Sequence, residues 1–129
     1  MPTRFALAAL LLTGMVAPAA SAPRRVYVVR WAGAGESVES RALVAQADRQ
    51  LRDELMRRGA SVVEQSSQAI VLKPSLEVFP RALKLNVVGV RDQRLLGTIS
   101  TKAAGSNREA QLKAIVGRAC VEAELLAEQ

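Results

Sequence analysis

A chain of 129 residues with 18 Lys and Arg against 12 Asp and Glu is basic, at +6, and half of its residues are hydrophobic. It has no histidine and a single cysteine, Cys120. Those absences exclude Ser-His-Asp and Cys-His nucleophile systems, most transition-metal sites and an internal disulfide, so neither a metal nor another cofactor is expected.

Residues 1–22 read as an export signal: Arg4 near the start, an apolar run over 5–12, then small residues. The run is too short to anchor the chain across a bilayer. Small-x-small cleavage sites stand at Ala17-Pro18-Ala19 and Ala20-Ser21-Ala22. The second leaves Pro23 directly after the cut, so cleavage after Ala19 is preferred to cleavage after Ala22. No cysteine lies there to carry a lipid. The expected product is one periplasmic or secreted domain, residues 23–129, without a transmembrane segment. About 110 residues suffice for one modest core. Losing Arg4 from the 18 basic residues leaves 17 against 12 acids, a net of +5. That balance suits acidic partners. Nucleic acid is not expected, because export removes it and only Tyr27, Trp31 and Phe79 remain to stack on bases.

The chain opens with a strand, Val26-Tyr27-Val28-Val29-Arg30-Trp31, apolar on both faces as in a sheet interior. A loop with Gly33 and Gly35 leads to a helix capped by Ser37 or Ser40, with Val44, Ala47, Leu51 and Leu55 as its buried stripe. Asp48 with Arg52, Asp53 with Arg57 and Glu54 with Arg58 lie four apart, and Gly59 suits the left-handed position after the helix. A short strand over 60–64 makes a right-handed parallel crossover. Three strand-like runs, 69–79, 82–91 and 95–102, are divided by Pro80-Arg81 and Asp92-Gln93, an antiparallel meander. Pro74 cannot donate to a ladder, which predicts an edge, a bulge or a shorter strand. Ser106 with Glu109 predicts the capping box of a last helix, whose buried face holds Leu112, Ile115, Val116, Ala119, Ala123 and Leu126. Cys120 falls beside that face and packs as a small hydrophobe. The order β-α-β-β-β-β-α gives a two-layer α+β domain, a mixed sheet with two helices on one face.

The glycine loop does not read as a phosphate cradle. Val38 stands where the dinucleotide fingerprint needs its third glycine, and no Gly-Lys-Ser/Thr follows. The carboxylate pairs Glu36 with Glu39, Asp53 with Glu54, and Glu122 with Glu124 lie on helices or at their starts, among arginines or facing solvent. A hydrolase built on such a pair is a remote alternative, and no enzyme is expected.

Taking the more apolar side of each strand as core puts Tyr27, Val29 and Trp31 there with Ile70, Leu72, Leu76 and Val78. Leu83, Leu85 and Val87, then Leu95, Gly97 and Ile99, continue that side. The other side then carries Arg30, Lys73, Ser75, Glu77, Lys84, Asn86, Thr98, Ser100 and Lys102. Three of the four lysines fall on it. Arg30, Lys73, Lys84 and Lys102 are the candidate binding residues for an anionic polymer or an acidic protein surface, although any two-layer domain must solvate one sheet face.

Several pieces together resemble a periplasmic group: the amino-terminal domain of TolB, the globular domain of LpoB and the periplasmic core of CsgG. They are Val26-Tyr27-Val28-Val29, the helix closing on Arg57-Arg58-Gly59, and Val62-Val63. Ala69-Ile70-Val71-Leu72, Leu83-Lys84-Leu85-Asn86-Val87 and Val90-Arg91-Asp92 before Leu95-Leu96-Gly97-Thr98 complete them. The resemblance implies an α+β envelope module that binds other proteins. The chain lacks TolB's propeller, the lipid-bearing cysteine of LpoB and CsgG, and CsgG's spanning segments. The expected function is a non-catalytic envelope domain that binds a protein partner. The alternative is a binder of anionic wall polymer or lipid headgroup.

Overall fold

The computed structural model describes residues 25–129. The expected export segment, residues 1–22, lies outside the described residues. The chain forms β1 (Val26–Val29), α1 (Val38–Arg57), β2 (Ser61–Val62), β3 (Ile70–Phe79), β4 (Ala82–Arg91), β5 (Arg94–Ala104) and α2 (Arg108–Ala127). This is the expected α+β order. The sheet runs β2-β1-β3-β4-β5, with β1 parallel to both neighbours and β3-β4-β5 an antiparallel meander.

Ser37 starts α1, its side chain accepting from the Ser40 amide while the Ser40 hydroxyl accepts from the Ser37 amide. Leu43, not Val44, begins the buried stripe, which continues through Ala47, Leu51 and Leu55. Asp48–Arg52 and Glu54–Arg58 pair as expected, at 2.9 Å each, whereas Arg57 turns to Glu54 instead of Asp53. Gly35 has φ of +99°, and a Cβ there would sit 2.6 Å from Ser40 Oγ and 2.9 Å from the Arg41 nitrogen. The glycine lets the loop lie against the helix start, which is a packing role.

Pro74 lies inside β3, fully buried, rather than at an edge or a break. Its carbonyl accepts from the Ala32 amide at 2.9 Å, so Pro74 turns its polar side to β1 where that strand departs. In a parallel ladder a residue presents its N–H and C=O to the same neighbour, so the missing donor is lost on that side. The register with β4 continues unbroken from Lys73↔Val88 through Pro74↔Val87 to Ser75↔Asn86.

The last helix is capped by Asn107, whose side chain accepts from the Ala110 amide at 3.1 Å, not by Ser106. Arg108 is then free to reach back, donating to the carbonyls of Phe79 and Ala82. Its apolar stripe closes the core with α1 and the strands, and Cys120 is buried in it. Two polar ties fix β1 and the segment just after it to the helices. Tyr27 Oη donates to the Ala123 carbonyl at 3.1 Å, and Trp31 Nε1 donates to Asp48 at 2.9 Å. Burial pushes the Tyr27 phenol and the Cys120 thiol each up to about 12.

One pair of glycines serves the core. Gly89 and Gly97 face each other across β4 and β5, and a Cβ on either would come within 2.7 or 2.8 Å of a Leu126 methyl. Leu126 seats in the hole they leave, holding the end of α2 onto the sheet.

Candidate binding surface

The sheet face away from the helices is built by alternation. On β4, Leu83, Leu85 and Val87 enter the core, so Lys84, Asn86, Val88 and Val90 point the other way. Cross-strand register arranges that face in rungs. Phe79 and Ala82 stand beside Ala104, then Glu77–Lys84–Lys102, then Ser75–Asn86–Ser100, then Lys73–Val88–Thr98, and last Val28–Val71–Val90–Leu95.

The four residues singled out from sequence do lie on this face, but in two groups. Lys84 and Lys102 are direct cross-strand neighbours. Lys73 is four residues further along β3 from the rung of Lys84, roughly 13 Å at about 3.3 Å per residue. Arg30, whose amide donates to the Leu72 carbonyl beside Lys73, belongs with Lys73. Between the groups runs the Ser75–Asn86–Ser100 rung, in which Ser100 Oγ donates to Asn86 Oδ1 at 3.0 Å, while Asn86 Nδ2 donates diagonally to Glu77 of the lysine rung at 2.7 Å. Lys102 Nζ lies 5.4 Å from the Phe79 ring centroid, a cation over an aromatic face. Lys84 and Lys102, like charges set opposite, make no ion pair with any described acid.

At the other end is an aliphatic row that the sequence reading missed. Val28 in that row is 2% exposed, but Leu95 is 62% exposed and Val71 and Val90 are partly open. Leu95 was expected on the core side. A register shift between Gly89 and Val90 pairs Gly89 with Gly97 and Val90 with Leu95, so Leu96 is the extra residue of a bulge. That bulge turns Leu95 onto the open face, while Leu96 packs against the core. Val71, Val88 and Val90 were legible from simple alternation, since each lies two or four residues from a position already placed on the open side.

The carboxylate pairs are scattered. Glu54 binds Arg57 and Arg58, Glu124 meets Arg58 at 3.3 Å and Arg25 at 4.0 Å, and Glu39 lies 3.5 Å from Arg108. Glu36, Asp53 and Glu122 are exposed. Among the described residues no group of three His, Cys, Asp or Glu side chains is placed to hold a metal ion. No helix among them is long and apolar enough to cross a membrane.

No protein-family model matches the chain, and no curated protein matches it either. Solved structures do share its fold. A point variant of PelC from Paraburkholderia phytofirmans, solved as a dodecamer, aligns with a TM-score of 0.57 at 13% identity, over 76% of this chain and 88% of that one. A protein of the DUF330 family model from Xanthomonas campestris aligns with 0.60 at 12% identity, over 81% and 86%. Rare lipoprotein B from Shewanella oneidensis reaches 0.40 at 11% identity, over 81% and 100%, too low a score to add to the assignment. Neither TolB nor CsgG is among these three. At such identities the likeness is one of fold, and the resemblance read from the sequence is upheld as far as that α+β fold.

Proposed function

We propose that this is a small exported, non-catalytic domain of the cell envelope that binds a protein partner through its open sheet face. The observation that carries the reading is the aliphatic row ending in Leu95, set on one face with Arg30, Lys73, Lys84 and Lys102 around a single acid, Glu77. Exposed apolar side chains at one end of a face with cations beside and beyond them combine the apolar and polar contacts of a protein interface. Export is supported by the pattern of residues 1–22. A non-catalytic role is supported by the lack of histidine and by carboxylates engaged with arginines or scattered in solvent.

The test is crosslinking and capture from the protein's own envelope with the tagged mature chain. Wild type recovers one reproducible partner, and Leu95→Asp with Val71→Thr lowers its recovery at least tenfold. Reproducible recovery of nothing by wild type defeats the reading. A reporter fused after Ala22 that stays in the cytoplasm defeats the export part.

One feature favours the anionic-ligand alternative. Lys84 and Lys102 face each other, and the one acid of their rung, Glu77 on the far side of Lys84, accepts from Asn86 and forms no ion pair with either lysine, an arrangement that an anion would relieve. Binding of that kind weakens steeply with salt, whereas an interface centred on the aliphatic row weakens little. Changing Lys73, Lys84 and Lys102 to Gln and finding binding to envelope extract unaltered removes this alternative.

A further inference from the structure

The two edges of the sheet differ. One is β2, two residues long, which offers almost nothing to pair with. The other is β5, eleven residues with no strand beyond it among the described residues. Proteins normally blunt such an edge with charge, proline, a bulge or short length. The bulge at Leu96 and the cation at Lys102 guard the ends of β5, yet residues 97–101 carry no charge and no proline and include Thr98, Ile99 and Thr101. That stretch is built to pair.

Two further observations say with what. Beside β5, on the helix side, is a cavity of about 390 Å³ lined mainly by small residues, among them Ala103, Ala110 and Ala114, with Arg118 as the cation of its α2 wall and Lys102 at its β5 rim. It has room for a side chain reaching in from an added strand. On the opposite face Lys102 stands over Phe79. Neither Arg118 nor Lys102 makes an ion pair among the described residues, and Glu122 is the one acid on that flank of α2, a turn beyond Arg118. Successive residues of a strand point to opposite faces, so two adjacent carboxylates on an incoming strand would meet one cation each. A second copy of this chain fits poorly, because its own β5 brings Arg94 and Lys102 to the same edge and sets like charges together.

We propose that β5 is a docking edge for an extended acidic segment of a partner protein, which adds as a further strand. Its main chain pairs with residues 97–101, one carboxylate reaches Arg118 and the next reaches Lys102. This rests on the reading of the domain as a protein binder and names the second surface such a partner uses.

The probe is a nine-residue peptide of alternating threonine and valine with two adjacent glutamates at its centre, compared with the same peptide carrying lysines there. The glutamate peptide is expected to bind and to slow amide exchange at least tenfold at alternate residues of β5, leaving β2 unchanged. Arg118→Glu with Lys102→Glu raises its Kd at least tenfold, and the lysine peptide does not bind. The peptide pair keeps the test valid whether or not the double variant folds. Saturation without protection of β5, equal binding of both peptides, or no binding overturns the proposal. So does a β5 already protected in a sedimenting dimer of the free protein, which assigns the edge to a second copy. Envelope capture is a separate readout. A partner held equally by wild type and the double variant overturns the edge while the broader reading stands.

Discussion

The two faces of β4 make the most instructive contrast in this molecule. Leu83, Leu85 and Val87 are at most 2% exposed, while Lys84, Asn86 and Val88, one residue away in each case, look onto open sheet. The same strand therefore supplies the centre of the core and the middle of the candidate binding surface. One face is specified by packing and the other is left to function. The sharpest way to break this contrast is to truncate each face in turn. Leu85→Ala is expected to cost about 3 kcal/mol of unfolding free energy, since the deleted methyls leave a cavity. Lys84→Ala is expected to change stability by under about 0.5 kcal/mol. Urea denaturation compares them, and similar losses would mean that the open face is part of the fold's stability.

A second test uses pH on the covered face alone. The Cys120 thiol has its pKa raised by burial from 9.0 to about 12. Below pH 9 both folded and unfolded chains keep the proton, so no stability depends on it. Above pH 9 the unfolded chain releases it first, and stability falls as pH rises toward 12. The loss is on the order of 2 kcal/mol by pH 11. Tyr27, raised from 10.0 to about 12, adds to the fall in the upper part of that window. Cys120→Ala should flatten the decline between pH 9 and 10, and an unchanged profile would contradict the thiol's burial.

The glycine hole tests the contrast at its narrowest point. Gly89→Ala places a methyl 2.7 Å from the Leu126 side chain, which can rotate only at the expense of its own packing. A cost of about 1 kcal/mol is expected, reduced when Leu126→Ala is made as well. Additive losses in that double-mutant cycle would mean that the two groups do not meet.

Most of the fold could be read from the chain because its local signals agree. The Ser37 cap, the turn at Gly59, the meander breaks and the stripe of α2 all point to the elements observed. What could not be read depends on pairing. Pro74 looked disruptive because a strand residue has two neighbours, and only the register shows which one loses the donor. Leu95 looked buried because alternation was counted from one end of the strand, and the bulge at Leu96 reverses the count. The candidate surface suffered from the same limit. Its basic residues were placed on the correct face, but their division by the Ser75–Asn86–Ser100 rung, and the aliphatic row beyond it, appear only when strands are set side by side.

The turn that feeds this bulge offers the smallest effect and the cleanest separation of the two faces. Asp92 and Gln93 have φ of 54° and 61°, left-handed values at both centres of a two-residue hairpin loop, where the second position favours glycine. Gln93 is exposed and makes no side-chain hydrogen bond among the described residues, so its backbone conformation is held by the strands it joins. Gln93→Gly relieves a left-handed cost of roughly 1 kcal/mol and returns part of it as added freedom of the unfolded chain. The expected outcome is a gain of about 0.5 kcal/mol in urea unfolding, with envelope capture unchanged. A gain in stability accompanied by loss of capture would instead place the turn within the binding surface. The Arg91–Arg94 end of the sheet would then have to be counted with Leu95 as part of the interface.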